Sequence, residues 1–303
     1  TKFSILDDVK NVNIGNEMSI TISIGMGISG NDYAKSCEFA AVAIDLALGR
    51  GGDQAVIKDG EKIYFYGGKS KQVEKNTRVK ARVKAHALKE IITAKDEVII
   101  MGHRLADVDS FGAAVGIYRI AKTLERRAHI VLNDVTTSVK PLVELFENNP
   151  DYEDDMIVTS QEALDLAERN SVLVVVDVNK PSITECPELL ERTKTVVVLD
   201  HHRQVGEGIE NAVLSYVEPY ASSACEMVAE ILQYIDDNVK IRTMEADCLY
   251  SGIIIDTDSF VNKTGVRTFE AAAFLRRCGA DVIRVRKMFR YDIESYKIVL
   301  QLL

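Results

Sequence analysis

The sequence predicts an α/β chain: a mostly parallel sheet with helices on both faces, preceded by a smaller, partial α+β block. Three observations predict it. From residue 85 onward, short apolar runs rich in Val and Ile alternate with amphipathic stretches, the pattern of a parallel sheet buried on both faces. Before residue 67 the pattern differs, with one alternating run, one helical repeat and one hairpin signal. The length of 303 residues suggests two domains at about 150 residues each.

The elements follow in order. Ile20–Met26 alternates and is β-rich, so it reads as a strand. Ala34–Leu48 carries Phe39, Val42, Ala43, Leu46 and Ala47 at helical spacing. Gly49–Gln54 is a turn, and Ala55–Ile57 with Ile63–Tyr66 flanks Asp59-Gly60 as a hairpin. Residues 1–67 thus form one block. Residues 68–84 are mostly basic and polar, a linker or the exposed start of a helix; Lys69, Lys71, Lys75, Arg78, Lys80, Arg82 and Lys84 suit a solvated face better than a phosphate site. Residues 85–260 hold the strands Val98–Met101, His129–Leu132, Val172–Val176 and Val196–Leu199 and helices over Gly112–Leu124, 222–235 and 243–255. Residues 261–303 form a connector, helical from 268 on.

Composition narrows the function. There are 46 acids against 37 bases, a net charge of −9, which argues against a broad basic face for long nucleic acid. No apolar run approaches ~18 residues, so no membrane contact by this stretch is expected. Thr1-Lys2-Phe3-Ser4 carries neither an initiator Met nor a signal peptide and reads as part of something longer. Cys37, Cys186, Cys225, Cys248 and Cys278 never form a CxxC, so buried, reduced thiols are expected rather than a disulfide framework or a thiolate zinc site.

The chemistry lies at the ends of the apolar runs. Val98–Met101 leads into Gly102-His103-Arg-Leu-Ala-Asp107-Val-Asp109, Val172–Val176 into Asp177, Val196–Leu199 into Asp200-His201-His202, and the 243–255 helix into Asp256. A single such Asp is more often a helix cap. Four endings of this kind point instead to the ligand-binding edge of an open α/β sheet. Two carboxylates ~5 Å apart repel by ~3 kcal/mol at an effective dielectric near 20. Four converging carboxylates therefore need retained protons or divalent cations. Imidazole and carboxylate without thiolate suit Mn, Fe or Zn. The ligands outnumber the needs of one ion, and a pair of ions sharing one carboxylate fits the count. The reaction class is metal-assisted hydrolysis of a phosphate ester or anhydride, with His202 and Arg203 placed to supply positive charge to phosphate oxygens.

These residues resemble the four motifs of the DHH phosphoesterase superfamily, which includes the RecJ exonucleases, nanoRNases, family II inorganic pyrophosphatases and cyclic di-AMP phosphodiesterases. The resemblance covers roughly residues 85–260. The N-terminal block, through Thr21–Gly25 and Ala43–Gln54, is similar to the GdpP/YybT family of cyclic di-AMP phosphodiesterases, in which two transmembrane helices, a PAS domain, a degenerate GGDEF domain, the DHH domain and a DHHA1 domain follow one another. Residues 1–67 would be the C-terminal part of the GGDEF-like domain. Gly51–Gln54 looks like a decayed GGDEF signature, but it follows the strand that should follow the signature, so a structural reading is preferred.

The resemblance implies two Mn2+ ions, the first held by His103, Asp107 and Asp177 and the second by Asp109, Asp177, His201 and Asp256. Asp200 would orient its neighbour, and His202 would meet substrate phosphate. Arg203, Ser222 and Ser223 are further candidates for substrate contact, although the serines also suit a helix cap. The implied reaction opens cyclic di-AMP to linear pApA by attack of a two-metal-activated hydroxide. The implied setting is the cytoplasmic face of a bacterial membrane, in a parent anchored by N-terminal helices, with a homodimer allowed. Without the DHHA1 domain expected after residue 303, this stretch alone should have weak or no activity. Two readings stay open beside it: a nanoRNase or phosphoadenosine-nucleotide phosphatase, and a non-catalytic nucleotide-sensing module.

Overall fold

A computed structural model describes residues 3–10, 21–29, 32–49, 52–67, 70–167, 170–204 and 207–289. The chain divides into two units, residues 1–77 with 262–265, and residues 78–261 with 266–303.

The first unit is built on tight helix-on-strand contact. After α1 (Ile5–Lys10) comes β1 (Ile24–Ile28), then α2 (Tyr33–Gly49), β2 (Gln54–Asp59) and β3 (Lys62–Gly67). β1 runs parallel to β2, and β2 pairs antiparallel with β3, the expected hairpin. A Cβ on Gly27 would lie 2.0 Å from the Ser36 carbonyl oxygen, so glycine lets the α2 backbone rest on β1. The strand lies later than the expected Ile20–Met26, because its pairing begins only at Ile24, opposite Ala55. Ile20 itself falls outside the described residues. Gly52 and Asp53 both take left-handed backbone, φ 71° and 52°. The Asp53 N–H donates to Ser23 Oγ, and Gln54 Nε2 donates to the Ala47 carbonyl. These groups serve the turn, in line with the structural reading; Gly51 falls outside the described residues.

The second unit contains a six-stranded sheet. α3 (Ser70–Thr93) runs through the stretch read as a linker or helix start, and Arg78, Lys80 and Arg82 lie exposed on it. Then follow β4 (Glu97–Met101), α4 (Val108–Thr123), β5 (Arg127–Val131), α5 (Lys140–Val143), β6 (Ile157–Val158), α6 (Ser160–Ala167), β7 (Ser171–Val176), α7 (Glu188–Arg192), β8 (Val196–Asp200), β9 (Ala212–Val217), α8 (Ala224–Ile235) and α9 (Thr243–Asp256). The order across the sheet is β6-β5-β4-β7-β8-β9, and every pairing is parallel. The chain builds outward from β4 in one direction and then returns to build from β7 in the other. The boundary between β4 and β7 is therefore a topological switch point.

Alternation along the strands covers both faces. Val98, Ile100, Val172, Val174 and Val176 join one core with α4, α8 and α9, while Ile99, Met101, Leu173 and Val175 join another with α6 and α7. The C-terminal stretch is not one continuous helix. α10 (Val266–Arg277) and α11 (Val282–Met288) are separated at Gly279, whose φ of 104° ends the first, and Asp281 caps the second. Residues 290–303 of the expected helical connector fall outside the described residues. Cys186, Cys225 and Cys248 are buried thiols as expected, but Cys278 is only half-buried and Cys37 is exposed on α2.

Candidate metal centre

The site forms where β4, β7 and β8 end beside α4, α8 and α9. The loop after β4 supplies His103 and leads into α4, which starts at Val108, earlier than the expected Gly112. Asp107 is its N-cap: Oδ1 accepts the Ser110 N–H at 2.9 Å, while Oδ2 lies 3.5 Å from His103 Nε2. One carboxylate thus serves as cap and as part of the cluster. Asp109 follows in the first turn of α4, buried, and accepts the N–H groups of Ala224 (2.6 Å) and Cys225 (2.9 Å) at the start of α8. Close helix packing permits this, since a Cβ on Gly252 of α9 would lie 2.8 Å from Asp109 Oδ1 and 2.4 Å from Cys225 Sγ.

Asp177, immediately after β7, has φ 59°, a left-handed conformation that Asp tolerates better than most residues. Its two oxygens divide. Oδ2 lies 3.4 Å from His103 Nε2, and Oδ1 lies 3.3 Å from His201 Nε2. His201 Nε2 also lies 3.7 Å from Asp109 Oδ2 and 3.4 Å from Asp256 Oδ2. Three overlapping groups of donor atoms result: His103, Asp107 and Asp177; Asp109, His201 and Asp256; and Asp177, His201 and His202.

Asp200, the last residue of β8, is fully buried. Its Oδ1 lies 2.8 Å from His202 Nδ1 and accepts the His202 N–H at 3.1 Å. The orienting contact expected of Asp200 thus falls on His202. Arg203 follows His202 and is exposed. Ser222 and Ser223 are buried with their hydroxyls engaged internally: Ser222 Oγ donates to Glu226 Oε2, and Ser223 Oγ caps α8 by accepting the Glu226 N–H. Ser223 is thus the helix cap that its sequence also suited, and Ser222 is tied to the Glu226 side chain. Asn179, which the sequence reading passed over, bonds both Asp200 and the His202 carbonyl.

A family model described as "DHH family, N-terminal domain" matches residues 97–253. The chain belongs to the DHH family. A second model, "Cyclic-di-AMP phosphodiesterase GdpP-like, GGDEF domain", matches residues 1–65. This DHH chain is 43% identical over 301 residues to the cyclic-di-AMP phosphodiesterase GdpP of Bacillus subtilis (strain 168), covering 98% of the chain and 45% of the relative. It is 44% identical over 298 residues to the cyclic-di-AMP phosphodiesterase PdeA of Listeria monocytogenes serotype 1/2a (strain 10403S), covering 97% and 45%. The chain therefore spans about half the length of the curated relatives it matches. An exopolyphosphatase-related protein from Bacteroides fragilis shares the fold, with a TM-score of 0.59 at 19% identity, over 70% of this chain and 62% of that one.

The donor set of the DHH chain fits divalent ions. Ligands ~2.1 Å from one ion at right to tetrahedral angles stand ~3.0–3.5 Å apart, close to the spacings between these imidazoles and carboxylates. Asp177 Oδ1 and His201 Nε2 are buried and lie 3.3 Å apart without an aligned hydrogen bond, as two atoms facing a common ion would. Charge tells the same story. Burial and the nearby carboxylates of Asp177 and Asp256 push the Asp109 carboxyl well above the usual range. Burial alone would raise Asp177 too, but the imidazoles of His103 and His201 outweigh it and hold that carboxyl low. Asp107 and then Asp177 push His103 up to about 10. Burial would lower His201, yet Asp177, Asp109 and Asp256 push it up to about 9. Without metal, retained protons do the work of cations.

Proposed function

We propose that this chain is the catalytic part of a metal-dependent phosphodiesterase that hydrolyses cyclic di-AMP to linear pApA. The division of Asp177, with one oxygen toward each of two donor clusters, carries the reaction class. The substrate is supported by likeness to two relatives named as cyclic-di-AMP phosphodiesterases along nearly the whole chain.

In this reading His103, Asp107 and Asp177 hold one ion, and Asp109, Asp177, His201 and Asp256 hold the other. Two Mn2+ suit the mixture of imidazole and carboxylate donors. Bound ions supply positive charge for phosphate oxygens and bring the pKa of a water toward neutrality. The chain's own residues do the rest. Asp109, fixed by two N–H groups, keeps the α4 side of the site rigid. His202, held through Nδ1 by Asp200, keeps Nε2 available for a phosphate oxygen, and Arg203 beside it adds positive charge. Residues 1–67, 68–84, 85–260 and 261–303 act as GGDEF-like remnant, linker, DHH domain and connector. The setting proposed is the cytoplasmic face of a membrane-anchored parent; among the described residues no helix is long and apolar enough to cross a membrane.

The full-length protein incubated with cyclic di-AMP and Mn2+ should release pApA, read by chromatography, and Asp177→Ala should bring the rate to background. No linear product at any Mn2+ level would overturn the substrate. Preference for short oligonucleotides or 3′-phosphoadenosine nucleotides would favour the nanoRNase-like reading.

A further inference from the structure

We propose that Asn179 is a positioning residue that sets the orientation and tautomer of the His202 ring by way of Asp200. Asn179 lies two residues beyond Asp177, past the end of β7, and Asp200 closes the neighbouring strand β8. The Asn179 side-chain amide donates to Asp200 Oδ2 and, at 3.2 Å, to the His202 backbone carbonyl. Its own carbonyl accepts the Ile209 N–H at 3.2 Å, which ties the loop after β8 to the loop after β7.

Asp200 is fully buried, and a buried carboxylate has few ways to be satisfied. Oδ1 takes both the Nδ1 and the N–H of His202, and Oδ2 takes the Asn179 amide. With Oδ2 anchored, the carboxylate cannot rotate away from the imidazole. An acceptor at Nδ1 keeps a proton on that nitrogen and leaves Nε2 as the atom available outside. The His202 side chain is 57% exposed, so it is restrained at its base and open at its tip. Asn179 itself is buried, and its amide reaches the imidazole by way of Asp200 Oδ2 while a second bond holds the His202 backbone carbonyl.

The activity arm of the test rests on the phosphodiesterase reading, whereas the spectroscopic arm does not. With 15N-labelled histidine in the full chain and Mg2+ present, NMR should show His202 carrying its proton on Nδ1. In Asn179→Ala the signals should move toward a mixture of the two tautomers, and in Asn179→Ser, which keeps a hydroxyl donor, they should fall between. An unchanged His202 signal in folded Asn179→Ala, or in Asn179→Ser should the alanine variant not fold, overturns the proposal. For hydrolysis, Asn179→Ala should cost about 10-fold to 100-fold, the usual range for a residue supporting a site from behind. The same substitution on an Asp200→Ala background should cost several-fold less than on the wild type, the remainder being the bond to the His202 carbonyl. Independent, multiplying losses would overturn action through Asp200. If the wild type hydrolyses no cyclic di-AMP, the substrate reading fails while the tautomer result still decides the role of Asn179.

Discussion

Asp107 shows how one side chain answers two needs, since Oδ1 ends a helix and Oδ2 faces His103. Reading it as cap or as site residue was never a choice between exclusive roles. The identity of the clustered side chains was legible because His and Asp close apolar runs, a pattern visible in one dimension. Asn179 was not, because its partners Asp200 and His202 come from another strand and nothing in Asp177-Val-Asn179 announces the contact. Titration gives a residue-scale prediction. The pKa values of His103 and His201 lie above the ordinary 6.5 in the metal-free protein, so their ion pairs stabilise fully below that value and are lost as pH climbs through about 9 to 10. Thermal scans in chelator should show the melting point falling over that window. Metal binding must expel the same protons, so calorimetry at neutral pH in two buffers of different ionisation enthalpy should give different apparent enthalpies. Identical values would mean that the imidazoles start out neutral.

At the level of elements, the approach of α9 to α4 rests on small residues. Gly252→Ala would drive a methyl group against Cys225 Sγ and Asp109, at a cost of ~1–3 kcal/mol from overpacking. Denaturant titration should show the lower midpoint, and metal affinity should fall with it, because Asp109 has to move. Ser223→Ala removes the cap of α8 and should cost ~1 kcal/mol in the same assay. A rise in substrate KM out of proportion to the loss of stability would assign Ser223 a substrate contact as well. Helices α2, α8 and α9 and the Val-rich strands were readable from periodicity, whereas α3, the longest helix, read only as a linker or a helix start because its first half is basic and polar. The two-residue β6, the short helices α5 and α7, and the edge strand β9 were not, since a few residues carry no repeat and pairing with a neighbour decides them. The start of α4 was missed for a related reason, because Asp107 and Asp109 do not fit an apolar stripe.

Across the whole molecule, the sheet order sets the location of the site. Reversal of direction between β4 and β7 opens the crevice into which His103 and Asp177 project from adjacent strands. The parallel sheet was legible; its order was not, because the sequence alone does not say which neighbour each strand takes. Each ion present at 100 times its dissociation constant would add ~2.7 kcal/mol to stability, so two would add ~5 kcal/mol. Stripping both with EDTA should therefore lower the melting point by about 10–20 °C, read by scanning calorimetry. No change would mean that the clusters bind no metal. The side chains that meet in this crevice lie far apart along the second unit, since His103 follows its first strand and Asp256 closes α9, beyond its last strand. Ion capture must then wait for nearly the entire sheet to assemble, which makes it a late event on the folding path. Added metal should leave the refolding rate almost untouched and slow unfolding instead, so these ions act as a latch on the finished fold and not as a seed for it.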